Sequence, residues 1–131
     1  MILVDTSVWI DLLGRGSRRA IPVEKLPLLA TCPPVMQEVL HGIRNEAAHR
    51  EVAAGLKALS VFGAPMAAGI FENASQIYRE GRARGLMIRS SYDCLIAAVA
   101  LEHHLAIWHR DRDYDLIAKV RPQLRVMTRL E

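Results

Sequence analysis

The chain has only two cysteines, Cys32 and Cys94, which lie far apart and form no Cys-x-x-Cys or Cys/His cluster. They therefore indicate neither a disulfide framework nor a structural zinc site, and we expect a reduced, cytoplasmic compartment.

Long apolar runs are also absent. The longest uncharged, mostly apolar stretch, residues 59–71, contains glycine and proline and falls short of the ~20 residues that a membrane-spanning helix needs. The amino terminus lacks the basic segment of a secretory signal, so we expect no membrane contact.

Glycine-rich phosphate-binding loops of the common patterns are absent as well, and no repeat, low-complexity tract or linker divides the sequence. With 131 residues, the chain is long enough to bury a proper core, and we expect a single domain spanning 1–131. The net charge is only +3, but fourteen of the seventeen basic residues are arginine. The guanidinium of arginine can form two parallel hydrogen bonds with a carboxylate or a phosphate, so phosphate or an acidic protein is a plausible partner. The alternative interpretation is that the arginines lie on solvated helix faces.

Short apolar runs alternate with longer stretches of helical periodicity. The predicted strands cover residues 2–4, 31–32, 61–62, 105–108 and 124–127. The predicted helices cover about 8–13, 22–29, 35–43, 46–59, 66–84, 92–103 and 111–120. The segment 46–84 is interpreted as a helical arm, and the helix at 92–103 is apolar on nearly all sides, as expected for a helix buried against a sheet. This alternation predicts an α/β domain with a parallel sheet.

Four acidic residues mark the candidate site: Asp5, Glu38, Asp93 and Asp111. Three of them adjoin apolar runs, where desolvation penalises an isolated charge, and parallel sheets bind ligands beyond the carboxyl ends of their strands. Carboxylates gathered there need a cation, and all-oxygen ligation favours Mg²⁺ or Mn²⁺. Because Mg²⁺ usually takes few carboxylates together with substrate phosphate, nucleic acid is the leading substrate class. The alternatives are helix capping for Asp93 and Asp111, and a solvated helix position for Glu38.

Other candidates for chemistry are weaker. His103, His104 and His109 could supply an acid and a base for metal-free RNA cleavage, although the first two also suit the carboxyl end of a helix. Cys94 lies in an apolar run and is interpreted as a core residue. A phosphoryl-transfer domain with Asp5 as nucleophile is disfavoured, because no second aspartate follows it two positions later.

The chain closely resembles the PIN-domain family, and within it the VapC-type ribonuclease toxins of toxin–antitoxin pairs. Four motifs in order carry the resemblance: VDTSVWID at residues 4–11, QEVLHG at 37–42, YDCLIAA at 92–98 and HRDRDYD at 109–115. The resemblance implies a three-layer α/β/α sandwich with a central, mainly parallel sheet and a helical arm. It also implies a Mg²⁺- or Mn²⁺-dependent endoribonuclease.

By the same resemblance, Asp5 and Asp93 hold the metal, and Glu38 and Asp111 complete the catalytic acids. Asp113 is a possible further ligand or water-holding acid. The resemblance also implies a cognate antitoxin that covers the site, a homodimer, and contact with operator DNA only through the antitoxin complex. Two departures concern neighbours of the acids: His109 stands where relatives often have threonine, and Tyr92 where a small polar residue is frequent.

The leading hypothesis is hydrolysis of an RNA phosphodiester by a metal-activated water, and the arginines near the acids are candidate RNA-phosphate contacts. These arginines are Arg110 and Arg112, with Arg15, Arg18 and Arg19 after the first helix. The competing hypothesis is a partner-binding module whose acidic groove docks an arginine-rich peptide, with vestigial catalysis.

Overall fold

A five-stranded parallel sheet forms the centre of the computed structural model, which describes residues 1–14 and 20–130. Its strands are β1 (Ile2–Val4), β2 (Leu29–Thr31), β3 (Ser60–Val61), β4 (Ala106–Trp108) and β5 (Val126–Met127), arranged in the order β3-β2-β1-β4-β5. The helices are α1 (Thr6–Leu13), α2 (Pro33–His41), α3 (Glu46–Ala58), α4 (Ala68–Ala83), α5 (Ser91–Glu102) and α6 (Asp113–Val120), with a 3₁₀ helix at Val23–Leu28.

Strand β1 lies in the middle of the sheet because it is apolar on both faces, as parallel sheets covered on both sides require. Leu3 and Val4 are fully buried on opposite faces. Val4 packs with Val8 of α1 and with Trp108, whereas Leu3 belongs to the larger core that includes α4, α5 and α6. Helices therefore cover the two faces of the sheet, and the expected three-layer α/β/α architecture is confirmed.

Helix α5 is the most deeply buried helix of the described chain. Residues 96–100 are all buried, and the long helix α4 of the arm packs along it. Helix α3, strand β3 and helix α4 form the arm that the sequence predicted. No helix within residues 1–14 and 20–130 is long and apolar enough to cross a membrane.

Several predicted element boundaries were wrong; α1 and α2, for example, each begin two residues earlier than predicted. The expected helix at 22–29 is a 3₁₀ helix containing Pro27, and β2 begins at Leu29 rather than at residue 31, because Leu29 and Ala30 are buried in the sheet. Helix α6 begins at Asp113 rather than at 111. Strand β5 is limited to two residues, because the N–H of Leu124 closes a turn onto the carbonyl of Arg121 (2.9 Å).

The strand order creates a switch point beside β1. From β1 the chain builds β2 and β3 on one side, and it then returns to build β4 and β5 on the other. Ile2 pairs with both Leu29 and Ala106, and Val4 pairs with Trp108. The carboxyl ends of β1 and β4 therefore flank the crevice where ligands bind in open α/β sheets.

Candidate metal centre

Asp5 directly follows β1 and is the N-cap of α1. Its Oδ2 accepts hydrogen bonds from the backbone N–H of Ser7 (2.9 Å) and from the Ser7 hydroxyl (2.5 Å). Its own N–H donates to the carbonyl of Trp108 (2.9 Å), which ties the end of β1 to β4. The side chain is buried at the sheet edge, so Asp5 combines a capping role with the position expected of a site residue.

Asp93 lies in the first turn of α5, and it is buried with 5% exposure. The helix is capped by Ser90, whose hydroxyl oxygen accepts the N–H of Asp93 (3.2 Å). Capping therefore does not engage the Asp93 carboxylate, whose Oδ2 is buried without a hydrogen-bond partner. The positive end of the helix dipole nevertheless favours its charge.

Asp111 and Asp113 join Asp93 in a compact group. Ligand oxygens of the three residues lie within 4.8 Å of one another. Oδ1 of Asp111 accepts the N–H of Asp113 (2.9 Å) just before α6, but the N-cap position of that helix is Arg112 rather than Asp111. Oδ2 of Asp113 accepts the N–H groups of Arg89 and Ser90, both at 3.0 Å, and this fixes the segment that leads into α5.

Tyr114 connects Asp5 to this group, and sequence reasoning gave it no role. Its buried hydroxyl donates to Oδ1 of Asp5 (2.5 Å) and lies 3.4 Å from Oδ1 of Asp93. A tyrosine whose ring fills the core while its hydroxyl meets a polar partner is a common arrangement. The available signal was the position of Tyr114, immediately after Asp113 in the last acidic motif.

Glu38 reaches the same edge from α2 through a different partner. The hydroxyl of Thr6 donates to Oε1 of Glu38 (2.8 Å), and Thr6 directly follows Asp5. Glu38 is half-buried. The four acids predicted from the sequence are thus at one edge of the sheet, but Glu38 and Asp5 lie outside the compact group of Asp93, Asp111 and Asp113.

The crowding of these acids raises two of their pKa values. Burial, followed by the charges of Asp5 and Asp111, raises the pKa of Asp93 from 3.8 to about 8. Burial is also the main cause of a raised pKa at Glu38, with Asp5 adding repulsion and the bond from Thr6 opposing it. A cation bound between the acids would offset this penalty.

The residues present fit a hard divalent cation. The compact group offers only carboxylate oxygens, the ligands preferred by Mg²⁺ and Mn²⁺. Within residues 1–14 and 20–130, Oδ2 of Asp93 and Oδ1 of Asp113 are buried carboxylate oxygens without a hydrogen-bond partner. Asp5 is expected to share the metal with Asp93. In the structure the Tyr114 hydroxyl connects the Asp5 carboxylate to the Asp93 carboxylate.

The histidines do not assemble into an acid–base pair. His109 is buried, its Nδ1 accepts the N–H of Asp111 (3.2 Å), and its ring packs on Tyr114. His103 caps the carboxyl end of α5, roughly 15 Å along the helix axis from Asp93. Cys94 is a buried core residue, and burial raises its pKa to about 12, which makes it a poor nucleophile.

The arginines beside the site differ in their contacts. Arg110 donates its backbone N–H to the hydroxyl oxygen of Ser7 (3.0 Å), and its Nε lies 3.2 Å from a carboxylate oxygen of Asp11. Arg112 is exposed immediately before α6. Arg15, Arg18 and Arg19 lie outside the described residues.

Comparison with known proteins gives a consistent result. A PIN-domain family model matches residues 2–120. The chain is 38% identical over 129 residues to VapC ribonuclease Mb1587 of Mycobacterium bovis, covering 92% of this chain and 93% of that protein. It is 34% identical over 122 residues to ribonuclease VapC51 of Mycobacterium tuberculosis, covering 92% and 88%.

Solved structures share the fold at lower identity. The chain is similar to VapBC2 from Rickettsia felis bound to a DNA fragment from its promoter, with a TM-score of 0.72, 17% identity, and coverage of 97% and 98%. It is also similar to a toxin–antitoxin complex from Klebsiella pneumoniae, with a TM-score of 0.70, 22% identity, and coverage of 100% and 99%.

Proposed function

We propose that this chain, which belongs to the PIN-domain family, is a ribonuclease toxin of a toxin–antitoxin pair that cleaves RNA with the help of a divalent metal ion. The observation that carries the proposal is the acidic site formed by Asp5, Asp93, Asp111 and Asp113 at the switch point of the sheet. The ribonuclease activity named for the relatives supports the same proposal.

Asp93, Asp111 and Asp113 would hold the cation, and Asp5, positioned by the Tyr114 hydroxyl, would be a further ligand. When bound, Mg²⁺ or Mn²⁺ supplies charge stabilisation at the phosphate and lowers the pKa of a nearby water. The chain's own residues orient the reacting groups. Tyr114 fixes one oxygen of Asp5 and Ser7 fixes the other, so that this carboxylate has little freedom to turn.

Glu38 is the acid that we assign to the attacking water. Its raised pKa makes it a better base near neutral pH than an ordinary glutamate. The Thr6 hydroxyl holds Oε1 beside Asp5, which orients the carboxylate toward the site. In this scheme Glu38 accepts a proton from the water that attacks the scissile phosphorus in line, while the opposite bond from phosphorus to a ribose oxygen breaks and the leaving oxygen takes up a proton from solvent.

The test is cleavage of RNA by purified protein with Mg²⁺ or Mn²⁺, with and without chelator. Asp5→Asn and Asp93→Asn should each lose about a hundredfold in rate, while Glu51→Gln, which removes one exposed charge from α3, should keep wild-type activity. Cleavage that survives both the chelator and the aspartate substitutions would disprove the metal mechanism.

An apolar groove gives an antitoxin a place to bind. The groove has a volume of about 520 Å³, lies between α1, the 3₁₀ helix and α3, and is lined by residues that include Trp9, Leu13, Leu26, Leu56 and Leu59. Leu13 is 50% exposed. Such a groove suits the apolar face of an amphipathic helix, and the solved relatives include toxin–antitoxin complexes. This observation also favours partner binding as a second function of the chain.

Co-expression tests the antitoxin proposal. Leu13→Glu places a charge in the groove, so it should prevent co-purification with the antitoxin encoded beside the gene and leave RNA cleavage intact. An undiminished complex would contradict the assignment of the groove.

We further propose that residues 1–131 act as one domain in the cytoplasm, as a homodimer that meets operator DNA only through the antitoxin.

A further inference from the structure

Three aromatic side chains, Phe71, Tyr78 and Tyr92, line one cleft on the surface between α4 and the beginning of α5; we call them the aromatic face. The cleft has a volume of about 400 Å³, within the range of ligand-binding clefts. Phe71 is 50% exposed, Tyr78 is 37% exposed and Tyr92 is half-buried. Phe71 and Tyr78 are seven residues apart on α4, so they lie on the same side of that helix.

The aromatic face adjoins the acidic site. Tyr92 lines the cleft, and the next residue is Asp93. Consecutive residues on a helix point about 100° apart, so α5 presents Tyr92 to the cleft and Asp93 to the acids. The cleft and the acids are therefore neighbouring surfaces at the first turn of α5.

Positive charge lies beside the Tyr78 end of this face, whereas the exposed Glu72 follows Phe71 at the other end. Residues 79–89 contain four arginines and one glutamate, and the glutamate, Glu80, is paired with Arg121. The guanidinium of Arg82 lies 5.5 Å from the centre of the Tyr78 ring. Arg89, whose side chain is 61% exposed, has its Nε 3.9 Å from Asp113. Arginines beside exposed rings match a ligand that combines phosphates with flat bases.

We propose that the aromatic face binds bases of single-stranded RNA next to the scissile phosphate by stacking. This inference rests on the proposed function and names the part of the substrate that this surface takes. Bases in a duplex have their faces covered, whereas unpaired bases can stack on aromatic rings. The arginine beside Tyr78 attracts phosphates and the exposed rings can stack on bases, so the face matches RNA in both respects.

The test measures RNA binding separately from cleavage. Chelator prevents metal-dependent cleavage, and the probe is a short single-stranded RNA carrying one fluorescent base analogue whose emission falls on stacking. Wild-type protein should bind it and quench the emission. Phe71→Leu and Tyr92→Leu keep apolar volume but remove the ring, so each should weaken binding about tenfold and reduce the quenching. Tyr92→Phe should restore both.

Val23→Ala, at an exposed apolar position outside the cleft, is the matched control and should bind like wild type. Unchanged affinity and quenching in the leucine variants would overturn the proposal. It would also be overturned if those variants changed only the oligomeric state or antitoxin binding, which would assign the face to a protein. If wild-type protein binds and quenches RNA but never cleaves it with metal present, the aromatic face stands and the proposed ribonuclease activity fails.

Discussion

At the scale of single residues, the Tyr114 hydroxyl is the contact that joins Asp5 to the other acids. It lies 2.5 Å from Asp5 and 3.4 Å from Asp93. Burial and these two acids raise the pKa of Tyr114. The hydroxyl therefore stays protonated and donates a hydrogen bond to Asp5. Tyr114 is therefore a positioning residue that holds Asp5 in one orientation.

Tyr114→Phe removes this donor and keeps the ring. Partners that orient metal ligands typically contribute 10–100-fold to metal affinity, so we expect Mn²⁺ binding, followed by calorimetry, to weaken by about tenfold. The ring continues to fill the core, but Oδ1 of the buried Asp5 loses its donor, so the melting temperature without metal should also fall. Wild-type Mn²⁺ affinity in the variant would show that Asp5 needs no support from the hydroxyl.

Asp93 links the chemistry of the site to stability. Its pKa is raised to about 8 in the folded protein, from an ordinary value of 3.8. Between these values the folded state keeps a proton that the unfolded chain releases, so the stability of the metal-free protein falls as pH rises through that window. Glu38 shifts in the same direction.

Asp93→Asn cannot ionise and should escape this loss. At pH 5 the variant should melt near wild type in chelator, whereas at pH 8 it should melt higher by roughly 3–6 °C, which corresponds to ~1 kcal/mol for a chain of this size. Thermal melts at the two pH values measure the difference, and comparison with wild type cancels the contribution of Glu38. An advantage that does not grow with pH would contradict a raised pKa at Asp93.

At the scale of elements, Asp113 joins the start of α6 to the start of α5. One of its oxygens accepts the N–H groups of Arg89 and Ser90, and its own N–H donates to Asp111. The sequence suggested Asp113 as a further ligand or water-holding acid. Its contacts also give it a structural task, because it fixes the segment that places Asp93.

Asp113→Ala tests that task. Loss of the acceptor removes the partner of two part-buried N–H groups, and leaving such groups unpaired typically destabilises a protein by about 1 kcal/mol. We expect Asp113→Ala to melt at a lower temperature than wild type in the absence of metal. The comparison variant is Asp111→Ala, which removes a more exposed acid of the same group and should lower the melting temperature less. Equal stability of the wild-type and Asp113→Ala proteins would show that the two N–H bonds are dispensable.

The elements themselves were largely predictable, because apolar periodicity reports burial. The run before Asp5 and the run before His109 both became buried parallel strands, and the apolar stretch after Asp93 became the buried α5. The 3₁₀ helix and the start of β2 were predicted wrongly, because the local pattern of residues 22–29 suggested a helix while Leu29 is buried in the sheet.

The contacts between the acids were not predictable from one sequence, because they join residues far apart in the chain. Tyr114 meets Asp5 across 109 positions, and Thr6 meets Glu38 across 32. No spacing rule identifies such pairs. The motifs brought the right segments to the switch point, while the choice of hydroxyl partner depended on the packing of α1, α2 and α6.

At the scale of the whole molecule, the fold concentrates negative charge at one edge in a chain whose net charge is +3. In the proposed function RNA brings its phosphates to that edge, so arginines outside the acidic site would provide the attraction. Arg112 is exposed, and Arg110 is held near the site by Ser7 and Asp11. We propose that both contact phosphates that flank the reacting bond.

Arg110→Gln combined with Arg112→Gln should weaken the binding of unrelated RNA sequences to a similar extent. Each phosphate contact to a single strand contributes about −0.7 to the slope of log affinity against log salt concentration, so losing both should flatten the slope by roughly 1.4. Titrations in chelator at several salt concentrations measure it, with Arg50→Gln on the exposed surface of α3 as the control. An unchanged slope would mean that these arginines hold Asp11 and the loop before α6 rather than RNA.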